Sequence, residues 1–377
     1  MYFLLRCVLQ TLCQLAVAST YRLRYYLLER PYAASGLGNR VFSGSFKSGG
    51  LWCIFATNQR RDISHNLLKY LECLSNAGYN VILVNDGFLA DKLVNALLPY
   101  CHKVAMRSRG GRDFGSYKWG SFFLYDKENA RQARQIIYCN DSVFVRPSGL
   151  VELLCGLKEL DHDYIGICDN YDINYHVQSW FFTVSGRLFN SASFIEFWQK
   201  YKPYSYRQHC IKKGEVAISR HLLRHGVSPH LLFSQRKIME VIFGGALDEV
   251  LDRLITFLRP YAYEKISEKI MMIWLGQTYQ LNPSLTCLRQ EFLESVVTTN
   301  SVNNVNLILI KFSSFPFLKK DLIYRAQYAA SQIEQGIDDW GGDDGEESAE
   351  IMAYYKQRGT LRQQYSFVAI LARLGAI

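Results

Sequence analysis

The sequence predicts an α/β fold, a mostly parallel Rossmann-type sheet flanked by helices, with a helical C-terminal extension. Between residues 51 and 141, short apolar runs of strand length alternate with stretches of helical period. That alternation is the pattern of parallel strands joined by helical crossovers. Three of the runs end in polar residues, at Thr57 and Asn58, at Asn85 and Asp86, and at Asn140 to Ser142. Ligands of open α/β sheets bind beyond the carboxyl ends of the strands, so these residues should gather at one edge. A chain of 377 residues that is 49% hydrophobic and 20% charged can also bury one large core or two modest ones.

In chain order, residues 1–32 read as an amphipathic helical segment. Ala16, Val17 and Ala18 mimic a signal-peptide cleavage site. However, Arg6, Gln10 and Gln14 recur every four residues and share one helical face, while Leu5, Leu9, Leu12 and Leu15 lie towards the other. The basic, aromatic stretch that follows, 21–30, sets Arg22, Arg24 and Arg30 either near lipid phosphates at a membrane surface or against the protein's own body. No run is long and apolar enough to span a bilayer. Residues 33–50, rich in Gly and Ser, read as a linker.

The catalytic body is expected over 51–240. Its strands are LWCIFAT (51–57), NVILVND (80–86), a run near 102–106 and QIIYCND (135–141), with helices over 63–77, near 89–99 and after Gly115. Beyond residue 143 the pattern becomes mixed: a helix near 148–158, strands at DYIGICD (163–169) and HVQSWFFTVS (176–185), and helices near 190–200 and 215–225. Residues 241–335 read as a mainly helical extension. Residues 336–377 hold an acidic, Gly-rich linker, DDWGGDDGEE (338–347), and a basic, apolar terminal helix.

A net charge of +9 suits an anionic partner. Nucleic acid is set aside, because the chain carries no zinc-finger spacing, no RNP-like strand and no Lys/Arg stripe interleaved with aromatics. Ten cysteines at irregular positions, without a CxxC pair, read as free thiols in a reducing cytosolic compartment and give no structural zinc site.

Four segments carry chemistry. In RSRGGRDFGSYKWG (107–120), Gly110, Gly111 and Gly115 permit unusual dihedrals and close backbone approach. Arg107, Arg109 and Arg112 suit phosphates, and Asp113 suits a ribose or a base; a tight turn carrying a solvated charge cluster is the plain alternative. In YCNDSVFVRP (138–147), Asp141 at a strand tip is the candidate metal ligand, for a Mg2+ or Mn2+ bridging diphosphate oxygens, unless it simply closes an Asx-turn. On a strand beginning at HVQSW, His176, Gln178 and Trp180 share one side and suit a sugar, while a satisfied core histidine is the alternative. Glu215 begins a helix at GEVAIS, where a carboxylate either complements the helix dipole or takes a proton. His221 and His225 are four apart on that helix without an evident third ligand.

The order of NDS after a Gly-Arg-Asp-Phe-Gly loop, then HVQSWFF, then GEVAIS resembles the rhamnan synthesis F family, over roughly residues 51–235. FPFLKKDL (315–322), after Asn282 and Pro283, is similar to that family's C-terminal signature; Arg109 stands where an Asn is expected, and 285–307 matches poorly. The resemblance implies a GT-A fold, a nucleotide-sugar donor, dTDP-L-rhamnose, and inverting transfer to a lipid-linked glycan of a cell-surface polysaccharide at the inner face of the membrane. The strand ends and the glycine-rich loop place donor contacts at Thr57, Asn85, Arg109, Arg112, Asp113, Asn140, Asp141 and Ser142, and the catalytic base is expected at Glu215 with Asp169 and Asp172 in reserve. A UDP- or GDP-sugar donor, or an inactive membrane-associated scaffold, fits the same residues.

Overall fold

The first strand of the predicted series lies at the middle of the sheet. The computed structural model describes residues 12, 15–29, 40–107, 110–127, 130–259, 285–297, 300–325, 327–338, 340 and 345–358. Its strands in chain order are β1 (Arg40–Ser43), β2 (Leu51–Thr57), β3 (Asn80–Asp86), β4 (Lys103–Arg107), β5 (Gln135–Asn140), β6 (Val143–Val145), β7 (Tyr164–Gly166), β8 (Asp169–Asn170), β9 (His176–Val177), β10 (Phe181–Ser185), β11 (His230–Leu231) and β12 (Phe317–Lys319). Eight of them form one sheet in the order β1-β4-β3-β2-β5-β10-β7-β11. Strands β4, β3, β2 and β5 run parallel, as do β7 and β11, whereas β1 and β10 are antiparallel to their neighbours. The fold is therefore a mixed α/β one with a mostly parallel sheet, consistent with a GT-A-like architecture.

Alternation along the strands divides the core between the two faces. On β2, Cys53 and Phe55 join a cluster with Leu71 and Leu74 of α1 (His65–Asn76), Leu97 of α2 (Asp91–Leu97) and Leu154 of α4 (Pro147–Glu159). Trp52, Ile54 and Ala56 face the opposite way, towards Phe114 and Tyr117 of α3 (Arg112–Lys127), Trp198 of α5 (Ala192–Lys200) and Ile218 of α6 (Val216–Arg224). Ser64 and Ser191 cap α1 and α5, each accepting from the backbone N–H three residues on. α3 lies close on β2 because it carries Gly120: a Cβ there would meet Ile54 Cγ2 at 2.5 Å.

Chain order makes β2 and β5 the place where the sheet reverses. From β2 the chain builds outward through β3 and β4, then crosses back to lay β5 on the other side of β2. A crevice opens beyond the carboxyl ends of two such strands. Thr57 and Asn140, the last residues of the two strands, stand at it.

The C-terminal segments are built into the same body. β12 pairs antiparallel with β6, and Leu307, Ile308 and Ile351 belong to the cluster that holds Cys53 and Phe55. Within the stretch read as a linker, Arg40–Ser43 forms the edge strand β1 against β4. DYIGICD and HVQSWFFTVS each divide: β8 pairs with β9 in a separate two-stranded sheet, and the main sheet resumes only at Phe181. The helix expected after Gly115 starts earlier, at Arg112. None of the eight cysteines among the described residues forms a disulfide. Among those residues no helix is long and apolar enough to cross a membrane. Residues 1–11, 30–39, 260–284 and 359–377, with Asn282, Pro283 and most of the expected terminal helix, lie outside the described set.

Candidate functional site

Two cavities meet at the crevice. The first, of about 560 Å³, lies over the carboxyl ends of β2, β3 and β5 and is lined by Thr57, Asp86, Arg112, Asp113, Asn140 and Asp141 among others. The second, of about 580 Å³, opens towards β9 and α6 and is lined by His176, Gln178, Trp180, Glu215, Lys319 and Arg207 among others. Arg112, Asp113, Asn140 and Ser142 border both.

On the first side, the turn before α3 shapes the wall. Gly110 has φ 145°, Gly111 φ 78°, and Arg112, a non-glycine, φ 53°. The two glycines accept such values without cost; the arginine stores strain. A Cβ at Gly111 would meet Pro203 Cβ at 2.3 Å, so this turn also requires glycine for space. Arg107 fixes the turn from inside, donating to the Gly110 carbonyl at 2.5 Å and the Arg112 carbonyl at 2.9 Å and lying 3.6 Å from Asp86. Arg107 is buried by this work, and Arg112 is the arginine that faces both cavities. The N-terminal turn of α3, with Arg112 and Asp113, borders the crevice, and its positive dipole end favours a phosphate there.

Asp113 joins the two sides. Its Oδ1 accepts from the Phe114 N–H at 3.0 Å and its Oδ2 from Asn140 Nδ2 at 3.2 Å. Burial, reinforced by the negative charge of Glu215 and opposed by Arg112, pushes its pKa up to about 6. Asn140 in turn accepts from Ser142, at 3.0 Å from its N–H and 2.5 Å from its hydroxyl. Asp141 Oδ2 accepts from Thr57 Oγ1 at 2.6 Å and Gln59 Nε2 at 2.7 Å. Both donors use Oδ2, and Asp141 lines the cavity. Among the described residues no group of three His, Cys, Asp or Glu ligands surrounds Asp141. A divalent ion there fits as one protein carboxylate plus substrate phosphates, the arrangement that Mg2+ accepts.

On the second side, Glu215 does not begin a helix as expected: a π-helical turn, Cys210–Glu215, runs into α6, and Glu215 lies at their junction in right-handed helical conformation, with both oxygens engaged. Ser179 Oγ donates to Oε1, and His176 Nε2 lies 3.5 Å from Oε2. His176 Nδ1 donates to the Asn174 carbonyl at 2.8 Å, which orients the ring. Burial works to raise the pKa of Glu215 and to lower that of His176, and their mutual attraction overcomes it in both. The pairing thus favours the carboxylate and imidazolium forms. Lys319 donates to Gln178 Oε1 at 3.1 Å and sits 5.7 Å from the Trp180 ring; desolvation holds its pKa down. Arg207 and Arg325 flank Asp321, at 3.5 and 2.9 Å.

A family model described as rhamnan synthesis protein F matches residues 81–270, half of the chain. The chain belongs to the rhamnan synthesis F family. It is also similar to the uncharacterized protein y4gN of Sinorhizobium fredii, 24% identical over 207 residues that make up 54% of each chain. Virulence protein VirA of Vibrio anguillarum is 33% identical over 111 residues, 29% of this chain and 34% of that protein. The chain spans about half the length, or less, of these curated relatives.

In this member of the rhamnan synthesis F family, the residues singled out in the sequence come together with few exceptions. Thr57, Arg112, Asp113, Asn140, Asp141 and Ser142 line the first cavity, and His176, Gln178, Trp180 and Glu215 the second. Asn85 is buried below the first, with its side chain bonded to Gln59 and Gly87, so it holds the turn that presents Gln59 to Asp141. Asp172 lines the second cavity. Asp169 does not: it is buried, one carboxylate oxygen has no hydrogen-bond partner, and burial raises its pKa. Arg109 lies outside the described residues.

Alternation placed Ser179 opposite His176, but residues 178–180 are not strand, and Ser179 reaches the cavity and Glu215. Lys319, in FPFLKKDL, also lines the second cavity, although no spacing in the sequence assigns it a role. His221 and His225 do gain a third ligand-bearing neighbour, Glu196 of α5, the three offering ligand atoms within 4.8 Å of one another. Both rings are already tied to backbone carbonyls, and Glu196 to Lys200.

Proposed function

We propose that the chain is a glycosyltransferase that transfers L-rhamnose from dTDP-L-rhamnose, by inversion, to a lipid-linked glycan acceptor in polysaccharide synthesis. The observation that carries this reading is the pair of cavities joined across Asp113 and Asn140, one suited to a nucleoside diphosphate at a strand switch point and the other to a sugar. Family membership supports the polysaccharide context, and rhamnose is taken from the family's description.

In this reading the acceptor hydroxyl enters from the Trp180 side and attacks the anomeric carbon at the shared wall. Its oxygen forms the new C–O bond, its proton passes to Glu215, and the C–O bond to the diphosphate breaks with its electron pair on the phosphate oxygen. A carboxylate held ionised by His176 is available to take that proton, and each of its oxygens keeps a further lone pair beyond those used by Ser179 and His176. Arg112 and the N-terminal turn of α3 face the leaving charge. A divalent ion held by Asp141, when bound, supplies Lewis-acid stabilisation of that charge.

The N-terminal helix supports a peripheral membrane site at the inner face. Leu15, Leu23 and Leu27 are 59–64% exposed, and Arg22 is exposed on the same helix. Removal of residues 1–32 should abolish co-sedimentation with anionic vesicles, and unchanged co-sedimentation refutes the anchor.

The deciding experiment is calorimetric titration of the full chain with dTDP-L-rhamnose, UDP-glucose and GDP-mannose, each with and without Mg2+ or Mn2+. Selective binding of the dTDP sugar, weakened in Asp113→Ala and Asp141→Ala, is the expected result. Binding of another donor changes the sugar, and no binding by the folded chain transfers the reading to an inactive scaffold.

A further inference from the structure

The cavity at the strand ends has a wall that comes from far outside the sheet. Residues 15–24 are α-helical, and Tyr25–Glu29 continue as a wider π-helical turn. Val17, Tyr21 and Tyr25, four apart, are half-buried on the inner side of this helix. The Tyr21 ring stacks on Tyr206 with centroids 5.7 Å apart, and Tyr25 meets Tyr204 edge-on at 4.6 Å. Between those two tyrosines sits Ser205, whose hydroxyl accepts from the Gly111 N–H at 3.1 Å. The helix therefore leans on the segment that holds the glycine turn before α3. Tyr21 and Arg24 themselves line the cavity, beside Thr57, Arg60, Asp113 and Asp141.

Charge gives this contact a purpose. Without the helix, Arg60 and Arg112 on the lining and Arg107, paired with Asp86 from inside the turn, balance Asp86, Asp113 and Asp141; Arg24 brings an excess of one positive charge. A nucleoside diphosphate is negatively charged, and a wall with an excess positive charge attracts it where a balanced one does not. We propose that the N-terminal helix is a functional wall of the donor cavity, in which Arg24 meets the phosphates of a nucleoside diphosphate and Tyr21 covers its nucleoside. The helix then completes a ligand site as well as offering an outer surface. The inference rests on the reading of this cavity as the donor side.

The test uses the full chain, titrated by calorimetry with dTDP, UDP and GDP, together with amide hydrogen exchange across residues 15–29 with and without the nucleotide that binds. Arg24→Gln should weaken that nucleotide about tenfold, the loss expected of a charge-assisted phosphate contact. Tyr21→Ala should weaken it by about fivefold through lost stacking. Exchange in 15–29 should slow on nucleotide binding, and the slowing should vanish in Asp113→Ala. If the wild type binds a nucleotide, Asp113→Ala weakens it, and both helix variants bind as the wild type with no change in exchange, the helix is no part of the site while the donor reading stands. If the wild type binds none of the three, both readings fall together.

Discussion

The two cavities sit on either side of one carboxylate, yet they are made in different ways. The strand-end cavity draws on residues that directly follow β2, β3 and β5, so the sheet that creates the crevice also delivers its ligands. The second cavity is assembled from segments around 172, 180, 207, 215 and 319, which approach only when β9, α6 and β12 have packed. A cavity fixed by backbone topology keeps its geometry as long as the sheet stands. One assembled from separate segments depends on side-chain pairs such as His176 with Glu215 and Lys319 with Gln178, and it is where specificity for an acceptor has room to change.

The contrast breaks most sharply at Glu215. Glu215→Gln keeps a partner for Ser179 but cannot take a proton, so transfer should fall by about 10²- to 10⁴-fold while donor affinity stays at the wild-type level; single-turnover assays paired with calorimetry read both, and normal transfer would remove the base from this residue. Lys319→Gln should raise the acceptor KM about tenfold with little change in donor affinity. An equal loss of donor affinity would merge the two cavities into one site.

Acid sharpens the donor side. Asp113 accepts hydrogen bonds as a carboxylate, so donor affinity should fall as pH drops through about 6, approaching about tenfold per pH unit where a single proton is linked. In Asp113→Asn that step should be absent. The folded pKa of Asp113 is raised from 3.8 to about 6, so stability is lost as pH rises between these values and the loss is complete above about 6; Asp113→Asn should gain melting temperature relative to the wild type at pH 8 but not at pH 4. The smallest effect belongs to Asp172, which faces the second cavity from an exposed loop; Asp172→Asn should transfer within about threefold of the wild type, and a collapse of turnover would make it the base.

The sheet was legible because its strands announce themselves twice, by apolar runs and by polar ends. LWCIFAT and NVILVND fall at the expected residues, and Asp141 lies where a strand-tip carboxylate must lie. Short elements without such a signature were not. Arg40–Ser43 is a strand only because β4 offers it an unpaired edge, and nothing in its composition separates it from a linker. HVQSW was read as continuous strand, and its period of two then turned Ser179 away from the site; the chain leaves the ladder there, and the period no longer applies. Lys319 was invisible as a site residue because its place depends on β12 pairing with β6, a contact between segments more than 170 residues apart. The contribution of Tyr21 and Arg24 is of the same kind: periodicity described their helix, but packing decided what it covers.

One consequence follows from the bond between Asp113 and Asn140. The bond lies at the wall shared by the two cavities. Under the proposed transfer the reacting carbon would sit at that boundary, and a spent nucleotide would leave from one cavity while the lengthened glycan stays in the other, so that reloading would not require release of the polymer.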